Sequence, residues 1–479
     1  MRRLVGLATA AVLASCTVGP NYHPPRVETP PVFSEASDAD VSGAPPSDAV
    51  LAAWWTQFND PELDSLIGRA LKGNLDLQSA ASRVGQSRQQ EVVSGAAGLP
   101  HVAANAAAAQ VNTNSHTFML PSQLTGGQSA AISTPSRINL YSVGFDATWE
   151  VDLFGGVRRS VEAAKANTEA ARWQQRDGEV SLTAEVANDY FTLRADQVRI
   201  ALLQTQLEEQ KDSFALIRAR HDAGFVTRLD VNQQQTQVES TAAELPALEA
   251  QERAMRHALA VLLGEAPETL DTELAANAPL PSPPASLPIG LPSDLLRRRP
   301  DIRTAERQLA AANANVGVAI AALYPKFNLL GVASLASMHL DTLFNGDNGS
   351  SVGAGYATWS IFEGGRLRAN IRASKAAREQ ALLAYKKAVI GGLQDVEDAL
   401  ARYSTEREHQ AALQRALDAS QNSLAIAKSQ YAAGIVNYIN VLSAEAAVLR
   451  ADDQLTQSNA QLAQDLASLF KALGGGWAR

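Results

Sequence analysis

The sequence predicts a mixed, mainly α fold: an internal two-fold repeat in which long antiparallel helices carry a small share of β-strand, four strands per chain. Three observations predict it. The chain is written twice, a 12-residue stretch alternates with period two, and a run of about 65 residues keeps helical periodicity without a break. Composition leaves room for such a fold and removes others. Over 479 residues, 46% are apolar and 19% charged, with a mean hydropathy of -0.12, which excludes a disordered chain and a polytopic helical membrane protein. The net charge of -9, with no basic block interleaved with aromatics, argues against nucleic acid as a partner. A single cysteine, Cys16, excludes an internal disulfide framework and any multi-cysteine metal site.

The N-terminus accounts for that cysteine. Met1, Arg2 and Arg3 form a positive segment, Leu4 to Val12 a short apolar one, and Leu13-Ala14-Ser15 sets small residues before Cys16. Residues 1–15 read as a secretory signal too short to span a bilayer comfortably. The pattern resembles the bacterial lipoprotein signal, which implies cleavage before Cys16, acylation of its thiol and amine, and a mature charge of -11 (-9 less two arginines). Thr17 in the following position resembles the outer-membrane default. Residues 16–50 then form an acylated, proline-rich lead.

The first repeat spans 51–264 and the second 295–473, with a proline-rich connector at 265–294 and a tail at 474–479. Leu75 to Pro100 aligns without a gap on Pro300 to Pro325, an offset of 225. His221-Asp222-Ala223-Gly224-Phe225-Val226 aligns on Tyr431-Ala432-Ala433-Gly434-Ile435-Val436 with an offset of 210, as Trp149 does on Trp359. The difference predicts an insertion in the first copy near Asn112 to Arg137, rich in Ser, Thr, Gly and Pro, where a surface loop tolerates it. Each copy is predicted to run helix, strand, loop, strand, very long helix, tight turn, helix.

The clearest strand sets Tyr141, Val143, Phe145, Ala147, Trp149 and Val151 on one face, against Ser142, Gly144, Asp146, Thr148, Glu150 and Asp152 on the other. A one-sided sheet in a soluble protein gives the same alternation. The long helix, about 100 Å at 1.5 Å per residue, carries two apolar stripes. Val180, Ala184, Ala187, Phe191, Ala195, Val198 and Leu202 form one, and Leu182, Val186, Tyr190, Leu193, Ile200, Leu203 and Leu207 lie nearly opposite. Between them run two polar faces, one of them Glu179, Thr183, Arg194, Gln197, Gln204 and Glu208. Two stripes predict a neighbour on each side and water in front and behind, the wall of a cylinder; a long coiled-coil stalk fits equally well. Four strands cannot close a membrane barrel of at least about eight, so closure needs several chains. Two would fill the interior with side chains and three leave room for water.

Several runs carry a family resemblance: Cys16-Thr17-Val18-Gly19-Pro20-Asn21-Tyr22, Arg298-Arg299-Pro300-Asp301-Ile302-Arg303-Thr304-Ala305-Glu306, Leu323-Tyr324-Pro325, and Trp359-Ser360-Ile361-Phe362-Glu363-Gly364-Gly365-Arg366. They resemble the TolC-type outer-membrane factors, in particular the lipoprotein branch serving resistance-nodulation-division drug efflux pumps. The resemblance spans essentially the whole mature chain. It implies a homotrimer with a twelve-stranded barrel in outer-membrane lipid and a twelve-helix periplasmic tunnel. It also implies two partners, a periplasmic adaptor (membrane fusion protein) and a proton-driven inner-membrane transporter, and so a passive exit duct for small molecules or drugs. The alternative is a lipid-anchored helical stalk or adhesin scaffold. No nucleophile elbow, zinc-protease, P-loop or dinucleotide pattern occurs, so the sequence predicts no catalytic residue, no metal site and no cofactor.

The candidate functional residues cluster at the two turns. Gly224 and Gly434 suit left-handed helix caps, and Phe225, Val226, Ile435 and Val436 are expected to expose apolar side chains there. The resemblance makes these tips the adaptor-receiving mouth. It also places a gate nearby. Tyr431 and Asp230 match two of its positions and are expected to hydrogen-bond across neighbouring hairpins. The arginine position holds Val436, with Arg228 close enough to substitute, and the acidic-ring positions hold the neutral Asn440 and Ser443.

Overall fold

The computed structural model of the chain describes residues 17–35, 41–42, 48–112, 117–120, 130–133, 137–283, 287–288 and 292–477. The signal segment, Cys16, residues 478–479 and parts of the lead, first loop and connector lie outside the described residues.

The first copy contains α1 (Leu75–Ala96), β1 (His101–Asn112), β2 (Arg137–Val151), α2 (Gly156–Asp222) and α3 (Arg228–Leu263). The second repeats the order as α4 (Pro300–Ala321), β3 (Lys326–Ser337), β4 (Gly349–Thr358), α5 (Arg366–Ala432) and α6 (Tyr438–Ala472). α1 and α4 each have 22 residues, and α2 and α5 each have 67. Pro100 and Pro325 stand between helix and strand, where a missing N–H and a fixed φ cannot continue the helix. The predicted insertion contains an extra antiparallel pairing, Thr117–Leu120 with Ala130–Ser133.

Two compact units contain these elements. One comprises Met1–His23, Ser87–Thr168 and Gln308–Ala381. It holds a four-stranded antiparallel sheet in the order β1-β2-β3-β4. His101 faces Thr148 in the first hairpin and Lys326 faces Thr358 in the second, so the two hairpins share one register under the offsets read from the sequence. The indole N–H of Trp149 donates to Gly98 O at 3.0 Å, and that of Trp359 donates to Leu323 O at 3.0 Å, so the same tie fastens strand to helix in both copies. The lead joins this unit. Val18 N–H donates to Phe154 O at 3.1 Å, and the buried Arg159 guanidinium donates to Val18 O, Gly19 O and Asn21 Oδ1. A Cβ on Gly19 would lie 2.5 Å from Gly317 Cα, so the lead crosses α4 where neither chain has a side chain.

The other unit comprises Pro24–Gln86, Glu169–Arg307 and Leu382–Arg479. Its core gathers Trp54, Phe58, Leu63, Leu66, Ile67, Tyr190, Phe191, Leu259, Leu263 and Phe470. Trp54 stacks on Phe470 with ring centroids 5.3 Å apart. Both predicted apolar stripes of α2 are buried from Val180 to Ala195. One expected water face is not wet there: Thr183, Arg194 and Gln197 are buried. Segments distant in sequence cover them. Arg194 donates to Ala276 O at 2.9 Å, Gln197 to Leu274 O at 2.7 Å, and the neighbouring Tyr190 hydroxyl to Asp60 Oδ2 at 2.7 Å. The polar atoms on this face satisfy backbone carbonyls instead of water. Arg297, Arg298 and Arg299 pair with Asp294, Asp48, and Asp301 with Asp395, so the arginine run is salt-bridged. Among the described residues, no helix is long and apolar enough to cross a membrane.

Candidate functional site

The two turns end their helices in the same way. Gly224 has φ +79° and Gly434 φ +72°, the left-handed region open to glycine. Gly224 N–H donates to His221 O and Phe225 N–H to Arg220 O; Gly434 and Ile435 do the same to Tyr431 O and Gln430 O. Each pair of bonds is a Schellman cap that satisfies carbonyls otherwise left open at a helix end.

The helix starts differ. Thr227 and Asp230 form a capping box at α3: Thr227 Oγ1 accepts from Asp230 N–H, and Asp230 Oδ2 accepts from Thr227 N–H at 2.9 Å and Oγ1–H at 2.7 Å. At α6 the equivalent Asn437 caps with no side-chain hydrogen bond, while Asn440 Nδ2 turns back to Asn437 O at 3.2 Å. Arg228, Asn440 and Ser443 are exposed.

The four apolar tip residues separate into two kinds. Phe225 and Ile435 are 81% and 72% exposed, whereas Val226 and Val436 are half-buried. Val226 packs with Val231, Leu424, Ala427 and Tyr431 on a buried cluster of Ile217, Tyr438, Val441 and Leu442. Val226 and Val231 stand in the positions of a hydrophobic staple around the Thr227 cap. Val226 therefore ties the first turn to the second hairpin, whereas Phe225 and Ile435 stand in solvent.

Between the turns lies an open concavity lined by Arg220, Phe225, Thr227, Asp230, Tyr431 and Asn437, with Val226, Val436 and Tyr438. Asp230 and Tyr431 share this concavity without a hydrogen bond between them; within the chain the carboxylate serves the cap. Tyr431 receives instead the Arg220 Nη1–H at 3.3 Å, and the guanidinium carbon sits 5.8 Å from its ring centroid. Behind the concavity Tyr438 donates to Gln234 Oε1 at 3.0 Å, and Gln234 donates to Gln210 O at 2.9 Å, a buried chain linking α6, α3 and α2. Burial, with the nearby Glu445 carboxylate, pushes the Tyr438 hydroxyl up to about 12. Sequence reading missed Arg220 and Gln234, which meet their partners across 211 and 204 residues.

Cys16 lies outside the described residues. Its neighbour Thr17 packs on Gly155 at the head of α2, where a Cβ would lie 2.6 Å from Thr17 Cγ2.

The family profile of the outer membrane efflux proteins matches residues 66–265 and 291–475. The chain is 35% identical over 427 residues to the pyoverdine export outer membrane protein OpmQ of Pseudomonas aeruginosa, covering 88% of this chain and 87% of that protein. The structure of the outer-membrane channel OprN superposes with a TM-score of 0.86 at 32% identity, covering 97% of this chain and all of that one. The open state of the Neisseria gonorrhoeae MtrE outer membrane channel gives 0.84 at 31% identity, covering 97% and 99%. The matched segments take in both hairpins and all four strands of the sheet, and the chain belongs to the outer membrane efflux protein family.

Proposed function

We propose that this chain is the outer-membrane exit duct of a tripartite efflux pump, conducting small molecules passively and performing no catalysis of its own. Three copies would close a twelve-stranded barrel from their sheets and a tunnel from their long helices. A periplasmic adaptor and a proton-driven inner-membrane transporter would complete the pump. Cys16 would carry the acyl chains, each buried methylene adding about 0.8 kcal/mol to the anchor.

The observation that carries this reading is the open four-stranded sheet. Both edge strands, β1 and β4, pair on one side only, and β4 is exposed along its whole length. A 10-residue unpaired edge is a liability in a solitary protein and a joint in an assembly. A helical stalk or adhesin scaffold offers no use for such a sheet. The turns suit a role at the periplasmic mouth, with Phe225 and Ile435 offered to an adaptor and Asp230, Tyr431, Arg228 and Asn440 around the opening. The residue ranges 51–264 and 295–473 would then be two staves of one wall, joined by 265–294. Purified protein in a planar bilayer should give discrete single-channel currents and heat-modifiable mobility on gels. A sample that assembles yet conducts no ions would favour the stalk.

A further inference from the structure

The two long helices that leave the sheet begin alike in backbone and differ in charge. α2 and α5 each follow a left-handed glycine, Gly155 at φ +79° and Gly365 at φ +89°, and each runs for 67 residues, so the offset of 210 pairs their first turns residue by residue. At the start of α2 every arginine has an acid. Arg158 donates from its backbone N–H and Nε–H to Asp152 Oδ2 at 2.9 and 3.3 Å, and Arg159 pairs with Glu162 at 2.6 Å. In the second repeat the positions of Asp152 and Glu162 hold Phe362 and Arg372, while Arg158 and Lys165 recur as Arg368 and Lys375. The stretch from Gly364 to Arg378 therefore holds five cations and no acid, in a chain of net charge -9. Arg366 turns back to Glu363. Arg368, Arg372 and Lys375 are exposed, and among the described residues none of the three makes an ion pair. At spacings of four and three they share one stripe of the helix.

This stripe starts beside an apolar shelf. Under the same offset Trp359 and Ile361 are the equivalents of Trp149 and Val151, on the apolar face of the sheet. They are 60% and 86% exposed, and Phe362 is 89% exposed. One concavity of about 360 Å³ brings Arg368 together with Leu323, Trp359, Ile361 and Phe362. Large apolar side chains in solvent beside cations without counter-charges match the two halves of a phospholipid: the rings suit acyl chains and the guanidinium groups suit a phosphate diester.

We propose that this concavity and stripe seat one anionic phospholipid per chain, from the leaflet facing the helices. Arg368 and Arg372 receive its phosphate, Lys375 adds attraction, and Trp359, Ile361 and Phe362 receive its acyl chains. The proposal rests on the exit-duct reading, which puts the apolar face of the sheet in lipid, and adds which lipid the chain selects and where. The net negative charge of the chain does not draw an anionic lipid, so the selection falls to the local stripe. At the start of α2, Asp152 and Glu162 already occupy the arginines, and the repeat supplies the seat once instead of twice.

Native mass spectrometry of the full chain in a non-ionic detergent, supplied with equal amounts of dioleoyl phosphatidylglycerol and dioleoyl phosphatidylcholine, tests the seat. The parent should retain phosphatidylglycerol in preference. Arg368→Gln/Arg372→Gln should lower that preference by roughly twenty-fold, each cation at a lipid surface contributing roughly five-fold. Arg368→Lys/Arg372→Lys keeps both charges and should keep most of the preference, and Arg158→Gln, at the compensated start of α2, should leave it unchanged. Inorganic phosphate in excess should not displace the lipid; displacement would show a free-anion site and overturn the assignment to lipid. Equal retention of the two lipids by the parent, or full preference in Arg368→Gln/Arg372→Gln, overturns the seat. So does a loss of preference accompanied by elution as single chains, since a neighbouring chain would then cover the stripe. Parent protein that assembles yet conducts no ions in a planar bilayer fails the exit-duct reading instead, whichever lipid it retains.

Discussion

Arg220, four residues before Gly224, reaches across to the second hairpin and donates from Nη1 to the Tyr431 hydroxyl at 3.3 Å, with its guanidinium over the ring. It ties the two turns of one chain together at the concavity proposed above as the tunnel mouth. The bond is exposed, so its contribution to global stability is under about 1 kcal/mol. Arg220→Ala should raise single-channel conductance or open time while shifting the melting temperature little. Tyr431→Phe keeps the ring and should have the smaller effect. Equal conductance of Arg220→Ala and parent, at normal assembly, would remove this contact from the mouth.

The unequal helix starts give a second test. Thr227→Ala removes half of the capping box, a loss of about 1 kcal/mol, and should speed amide exchange at Leu229 to Val231 by roughly five-fold. Asp230→Ala should fray the same turn, since its carboxylate holds Thr227. Asn437→Ala should leave exchange at the start of α6 nearly unchanged because the Asn437 side chain makes no capping bond to lose. Hydrogen–deuterium exchange by mass spectrometry reads both turns at once, and equal protection of the two would contradict the asymmetry.

Tyr438 supplies a test by pH. Its hydroxyl is buried, with the Glu445 carboxylate nearby, so the neutral form is favoured and the pKa is pushed up to about 12. The folded value is raised above the ordinary value of about 10. The stabilisation is therefore complete below pH 10 and lost as pH rises towards 12. Tyr438→Phe leaves Gln234 Oε1 without its donor in a buried site, a loss of about 1 to 3 kcal/mol. The variant should melt lower than the parent at pH 7 and show a smaller decline between pH 10 and 12. Phenolate absorbance appearing in full near pH 10 in the folded protein would contradict the buried site.

The repeat was legible because whole elements recur at fixed spacing: two offsets located α1 with α4 and α2 with α5, and the proline and glycine boundaries were local signals. Which faces of α2 meet water was not legible. Thr183, Arg194 and Gln197 follow a solvent-face period, and only the fold brings residues 274 and 276 back over them. The candidate site divides in the same way. The Thr-x-x-Asp spacing of Thr227 and Asp230 is a cap signature visible in four residues, whereas the Arg220–Tyr431 contact joins residues 211 apart and leaves no local trace.

The end of α6 provides the last prediction. Gly474 and Gly475 close the helix with donations to Lys471 O and Phe470 O, and Gly476 N–H then donates to Leu51 O at 2.8 Å. This delivers Trp477, 8% exposed, edge-on to Trp173 with centroids 5.5 Å apart. The Arg176 guanidinium lies 4.7 Å from the Trp173 centroid and 4.5 Å from that of Trp477, and Arg303 lies 5.2 Å from Trp173, so two cations share the two indoles. Removing the last indole takes away a buried ring and the partner of a half-buried guanidinium. Trp477→Ala should destabilise the fold by about 3 kcal/mol or more. Gly476→Ala should also destabilise it, because φ is +100° and the new Cβ would lie 2.5 Å from Thr183 Oγ1. Thermal denaturation of the assembled protein checks both. Phe225→Ala, which removes a large but exposed ring at a turn, is the control and should cost the fold clearly less; a Trp477→Ala melting curve matching the parent's would show that the C-terminal clasp does not hold the helices.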